Sequence, residues 1–76
     1  EYCFLPAGST VFVVPEEIED FAASPANCAT ASVAACFRRA GDVRGARVLV
    51  VGAGMLGLSA CAMAREGGAR AVHVLE

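Results

Sequence analysis

The sequence predicts an α/β chain whose second part is a single strand–loop–helix–strand unit with parallel strands. Three observations predict it. The β-branched run Val48-Leu49-Val50-Val51 enters a glycine-spaced loop, Gly52-Ala53-Gly54-Met55-Leu56-Gly57. An Ala-rich stretch of helix formers follows, and a second apolar run, Ala71-Val72-His73-Val74-Leu75, ends on an acid, Glu76. A strand that returns to its sheet in the same direction needs a crossover of about a dozen residues, and the Ala-rich stretch supplies one.

The first elements are expected to be extended. Glu1-Tyr2-Cys3-Phe4-Leu5-Pro6 and Thr10-Val11-Phe12-Val13-Val14-Pro15 read as two strands, separated by an Ala7-Gly8-Ser9 turn and each ended by proline. The acidic run Glu16-Glu17-Ile18-Glu19-Asp20 then stands ahead of Phe21-Ala22-Ala23, which suits a short helix with carboxylates near its positive end. A solvated charge run explains those acids better than a catalytic pair does. Ser24-Pro25 restarts a helix, with Ser as cap and Pro in the first turn, running through Cys28, Ala31 and Ala35 to Ala40. Gly41 marks its end, and Arg38 and Arg39 fall in the last turn, where cations meet the negative end of the dipole. Asp42-Val43-Arg44-Gly45 is the loop that delivers the chain to the strand beginning near Arg47.

Each glycine of the loop has a physical task. Gly52 lets the chain turn sharply out of the strand, Gly54 leaves room for a pyrophosphate to approach the backbone, and Gly57 lets the helix pack closely on the sheet. The phosphates would meet free backbone N–H groups near Met55 and Leu56, where the helix dipole adds positive potential. No lysine is needed, and the loop lacks the Gly-Lys-Ser/Thr ending of a nucleoside triphosphate loop. Glu76, nineteen positions after Gly57, closes a run suited to a buried parallel strand. A carboxylate there would accept hydrogen bonds from the adenosine ribose hydroxyls and repel a 2′-phosphate, which predicts NAD over NADP. The expected fold is therefore the first βαβ unit of a Rossmann dinucleotide-binding domain.

Composition offers a rival reading. From Val48 to Ala64 no charge appears, and 57% of the chain is hydrophobic, so the stretch approaches the lower limit of a membrane span, about 17 residues. Three glycines and a β-branched half preceding a helix-forming half favour strand, loop and buried helix. No membrane partner is expected, and the start shows no basic region or cleavage pattern of a signal peptide. A net charge of −2 with six cations gives no electrostatic footprint for nucleic acid. Seventy-six residues bury little surface, and two strands leave edges and faces wanting partners. The chain opens without Met and stops at the expected ribose ligand, so it is expected to be an internal piece of a larger protein.

Cys3, Cys36 and Cys61 are spaced too widely for a zinc knuckle and read as reduced thiols, as expected in the cytoplasm. His73, the only histidine, lies inside a strand-like run and reads as structural rather than catalytic.

The order of these features resembles the zinc-type medium-chain alcohol dehydrogenases. The residues that carry the resemblance are the strand pair ending in Val14-Pro15, Pro25-Ala26-Asn27-Cys28-Ala29-Thr30-Ala31-Ser32, Arg44-Gly45, and Val48-Leu49-Val50-Val51-Gly52-Ala53-Gly54. They span nearly the whole chain. The Asn27–Ala31 run beside Gly52–Gly57 is similar to the alcohol dehydrogenases associated with phosphonate catabolism. The resemblance implies three parts: residues 1–24 as the edge of a β-rich, GroES-like catalytic domain, 25–45 as a connecting helix and loop, and 46–76 as the incomplete start of the NAD-binding domain.

By the same resemblance Cys28, twenty-four positions before Gly52, is the third protein ligand of a catalytic zinc. Such centres keep an open fourth position for substrate. Ser32 matches a position, often Thr, packed against the nicotinamide ring. The implied activity is hydride transfer between a small alcohol or aldehyde and NAD, in a parent that is a homo-oligomer. The family's other two ligands, a Cys and a His beside a Glu, lie upstream of anything in this sequence, so no turnover is expected from these residues alone. A zinc-free, quinone-reductase-like or regulatory nucleotide-binding member of the same fold, or a truncated piece without function, are the alternatives.

Overall fold

Val48 to Val51 combine the side chains that favour extended backbone with a partner run of the same kind, and the two runs pair. In the structure, a computed structural model describing residues 1–76, the regular elements are α1 (Asp20–Ala23), a 3-10 turn (Ser24–Asn27), α2 (Ala29–Ala40), β1 (Arg47–Val51), α3 (Met55–Glu66) and β2 (Ala71–Leu75). β1 and β2 form a two-stranded parallel sheet, with Arg47 opposite Ala71 and Val51 opposite Leu75. α3 is the crossover. This is a small mixed α/β arrangement, and the bounds of β1 and β2 follow the sequence reading closely.

The strands alternate as their period requires. Val50 is buried and Val48 half-buried on one face of β1, whereas Leu49 and Val51 are exposed on the other. α3 lies on the covered face, anchored by the fully buried Ala64. α2 packs against α3 through small side chains, burying Ala29 and Val33. Only these four residues are buried, so the unit's apolar contacts form one thin layer beneath α3, and the opposite sheet face is open.

The two ends of the unit are closed differently. At the amino ends of the strands, the Gly45 N–H donates to the Gly68 carbonyl (2.8 Å) and the Arg70 N–H to the Ala46 carbonyl (2.8 Å). α2 ends at Gly41, whose φ of 85° only glycine adopts readily, and its N–H donates to the Phe37 carbonyl. Gly67 and Gly68 close α3 by donating to Met63 and Arg65. At the carboxyl ends, the Gly52 N–H donates to the Leu75 carbonyl at 2.7 Å, bringing the glycine loop beside the end of β2.

Three expectations are corrected. No strand forms in residues 1–19: the expected pair around Ala7–Gly8 keeps its turn, with the Ser9 N–H and Oγ both donating to the Pro6 carbonyl, but its flanks do not pair. Tyr2, Phe4, Phe12 and Val13 are almost wholly exposed, and an isolated hairpin without a covering layer is marginal in water. The helix expected from Ser24 to Ala40 is interrupted. Ser24–Asn27 is a 3-10 turn, and Cys28, at φ −113° and ψ −76°, separates it from α2. Ser24 makes no capping bond, because its own backbone is already helical (φ −50°, ψ −44°) and α1 runs directly into the turn. No helix is long and apolar enough to cross a membrane.

Candidate functional site

The Gly52–Gly57 loop leaves β1 through a left-handed turn. Gly52 has φ +99°, a conformation that side chains rarely tolerate. The loop then rises into α3 with Gly54 at the position before the first helical residue, in ordinary extended backbone (φ −76°, ψ −170°). A methyl group on Gly57 would overlap the Gly52 carbonyl oxygen and lie 2.9 Å from its carbon, with Val50 Cγ1 at 3.6 Å. Gly57 is thus required for the helix to reach the strand. A methyl group on Gly54 would meet nothing within 4 Å. The absence of a side chain there serves no contact inside the chain and leaves the backbone open to an outside group.

Open backbone is chemically useful only if it offers donors, and this loop does. The N–H groups of Ala53, Gly54, Met55, Leu56 and Gly57 donate to no acceptor in the chain, and no side chain caps α3; the first helical bond from the loop's far side runs from Leu58 to the Gly54 carbonyl at 2.9 Å. These unpaired donors stand at the positive end of a twelve-residue helix. Such a shelf suits an anion with several oxygens, as a diphosphate has. Met55 and Leu56 are exposed, so the shelf faces solvent rather than a closed pocket. Ala53 is the contributor that the sequence reading passed over; its place between two glycines was the available signal.

Glu76 follows the last residue of β2, and the Gly52–Leu75 bond sets it at the same end of the sheet as the loop. It is exposed. The carboxyl ends of parallel strands are where ligands of open α/β sheets bind, and here they bring together one anion shelf and one carboxylate. His73 pairs with Leu49 in mid-strand and is exposed, away from that end.

Cys28 and Ser32 belong to a second location. The Ser32 N–H donates to the Cys28 carbonyl at 3.0 Å in the first turn of α2, and both residues are exposed. A shallow apolar groove beside them is lined by Leu5, Phe12, Asn27 and Ala31, among others. No three His, Cys, Asp or Glu side chains gather closely enough to hold a metal ion. All four cysteines are free thiols.

Comparison with family models, curated proteins and solved structures returned no match for this chain.

Proposed function

We propose that this chain binds a dinucleotide through the Gly52–Gly57 loop and Glu76, as the opening unit of a dinucleotide-binding domain. The particular reading is an NAD-linked alcohol dehydrogenase of the zinc-type medium-chain class. The observation that carries it is the conjunction of five unpaired N–H groups at the start of α3 with an open Gly54 and a carboxylate at the adjoining strand end.

In this reading the N–H groups of residues 53–57 hold the pyrophosphate, and the helix dipole replaces a basic side chain. Gly57 holds the helix close enough to the sheet for the shelf to exist. Glu76 accepts hydrogen bonds from the adenosine ribose and disfavours a 2′-phosphate. The nicotinamide, when bound, accepts or releases the hydride; these residues fix the adenosine half so that the reacting ring falls at a repeatable place.

Titration calorimetry with ADP-ribose and its 2′-phosphorylated analogue tests the proposal. Saturable binding is expected, weaker for the analogue. Absence of binding, or preference for the 2′-phosphate, would overturn it. A second reading is a zinc-free member of the same fold, with the same nucleotide contacts and no metal role for Cys28. The coding sequence upstream separates the two, because a Cys followed at a distance by Gly-His-Glu belongs only to the zinc-bearing form.

A further inference from the structure

Every cation of this chain is an arginine, and the first is Arg38. Residues 1–37 contain five carboxylates, Glu1, Glu16, Glu17, Glu19 and Asp20, and no cation; residues 38–75 contain all six arginines against Asp42 and Glu66 alone.

The fold converts this segregation along the chain into segregation in space. α2 and α3 end, and β1 and β2 begin, at the same end of the unit, tied together by the Gly45–Gly68 and Arg70–Ala46 backbone bonds. Arg38 and Arg39 are in the last turn of α2 and Arg65 in the last turn of α3. Arg44 stands in the connecting loop, Arg47 opens β1, and Arg70 precedes β2. All six are exposed, and no guanidinium donates a hydrogen bond within the chain. The helix dipoles account for Arg38, Arg39 and Arg65. They do not account for Arg44, Arg47 and Arg70, which crowd more positive charge onto the same end at a cost in mutual repulsion.

Guanidinium groups pair with carboxylates through two parallel hydrogen bonds, and a cluster of them fits a short run of acids. The chain carries such a run. All residues of Glu16-Glu17-Ile18-Glu19-Asp20 are exposed, and the run forms no side-chain hydrogen bond and offers four carboxylates to an arginine end with an excess of four cations. Within one molecule the run leads into α1 and the 3-10 turn, before α2, whereas the arginines begin only at the far end of α2. We infer that the arginine end of one copy docks the acidic run 16–20 of a second copy. The contact is head to tail, so each copy keeps one free donor surface and one free acceptor surface, and association continues with concentration rather than stopping at a closed dimer.

Sedimentation velocity on the full chain tests this. At about 20 mM salt the weight-average mass should rise with concentration, and at about 500 mM it should return to the monomer, because exposed pairs are screened. Two variants sharpen the test: Glu16→Lys with Glu17→Lys and Glu19→Lys, and Arg44→Glu with Arg47→Glu and Arg70→Glu. Each alone should be monomeric at low salt, and their mixture should associate again, because the arginine end of the first meets the acidic run of the second and the new glutamates of the second meet the new lysines of the first. If the second variant loses its circular dichroism signal, Arg38→Glu with Arg39→Glu and Arg65→Glu replaces it. A wild-type monomer at low salt and about 0.5 mM chain, near the weak limit of useful affinity, overturns the inference. So does self-association of either variant to the wild-type extent, or a mixture that stays monomeric. Binding of a single-stranded oligonucleotide by a wild-type chain that remains monomeric would assign the arginine end to nucleic acid and overturn it as well.

Discussion

Both ends of the βαβ unit are rich in glycine, yet they use it for opposite purposes. At the amino ends of the strands, Gly41, Gly45, Gly67 and Gly68 all donate their N–H groups to carbonyls of the chain, and the turns are closed. At the carboxyl ends, Gly52 alone is so used, and the next five N–H groups are left free. Glycine at the first end solves a folding problem. At the second it leaves a row of backbone donors unpaired, and the accounting of those donors separates the two ends where glycine content cannot.

Mutations should divide along the same line. Gly57→Ala should have the largest effect, since its methyl group has no place beside the Gly52 carbonyl; a loss of about 3 kcal/mol in stability and of ADP-ribose binding is expected, read by urea denaturation and calorimetry. Gly54→Val should abolish at least about 2 kcal/mol of binding while costing no more than about 1 kcal/mol of stability, the loss of a glycine N-cap, because its backbone is extended and a methyl group there meets nothing. A matching loss of stability would show that Gly54 serves the fold and not a ligand.

At the closed end the pattern inverts. Gly68→Ala, at φ +83° and with Arg44 Cγ 3.3 Å from the added methyl, should cost about 1–2 kcal/mol of stability and leave the affinity of the folded fraction intact. Glu76→Gln should weaken ADP-ribose by about 1 kcal/mol and narrow its advantage over the 2′-phosphorylated analogue; an unchanged ratio would remove Glu76 from the ribose contact. Cys28→Ser should be smallest, within about 0.5 kcal/mol in both stability and ADP-ribose binding, because the thiol is exposed and distant in sequence from the shelf.

What was legible in the sequence was what local pattern controls. β1, α3 and β2 announce themselves by β-branched runs, an Ala-rich stretch and glycine spacing. Residues 1–6 and 10–15 look strand-like for the same local reason, but a strand also needs a partner, and Phe4, Phe12 and Val13 pair with none. Pro25 falls in the first turn of a 3-10 segment rather than of α2, and nothing in the residue types shows that α1 runs into that segment or that Cys28 separates it from α2. A metal role for Cys28 is beyond local pattern altogether, since it depends on side chains brought from elsewhere. The pole of six arginines was visible as a count and became a surface only when both helices were seen to end beside both strand starts.

The central claim is that the free N–H groups at the carboxyl end of the sheet, and not the paired ones at the amino end, receive the diphosphate. Amide chemical shifts measured while ADP-ribose is added test it residue by residue. Progressive, saturable shifts are expected at Ala53, Gly54, Met55, Leu56 and Gly57, with Gly41, Gly45 and Gly68 unmoved. Shifts concentrated at the amino end, or none at residues 53–57 under saturating ligand, would contradict it.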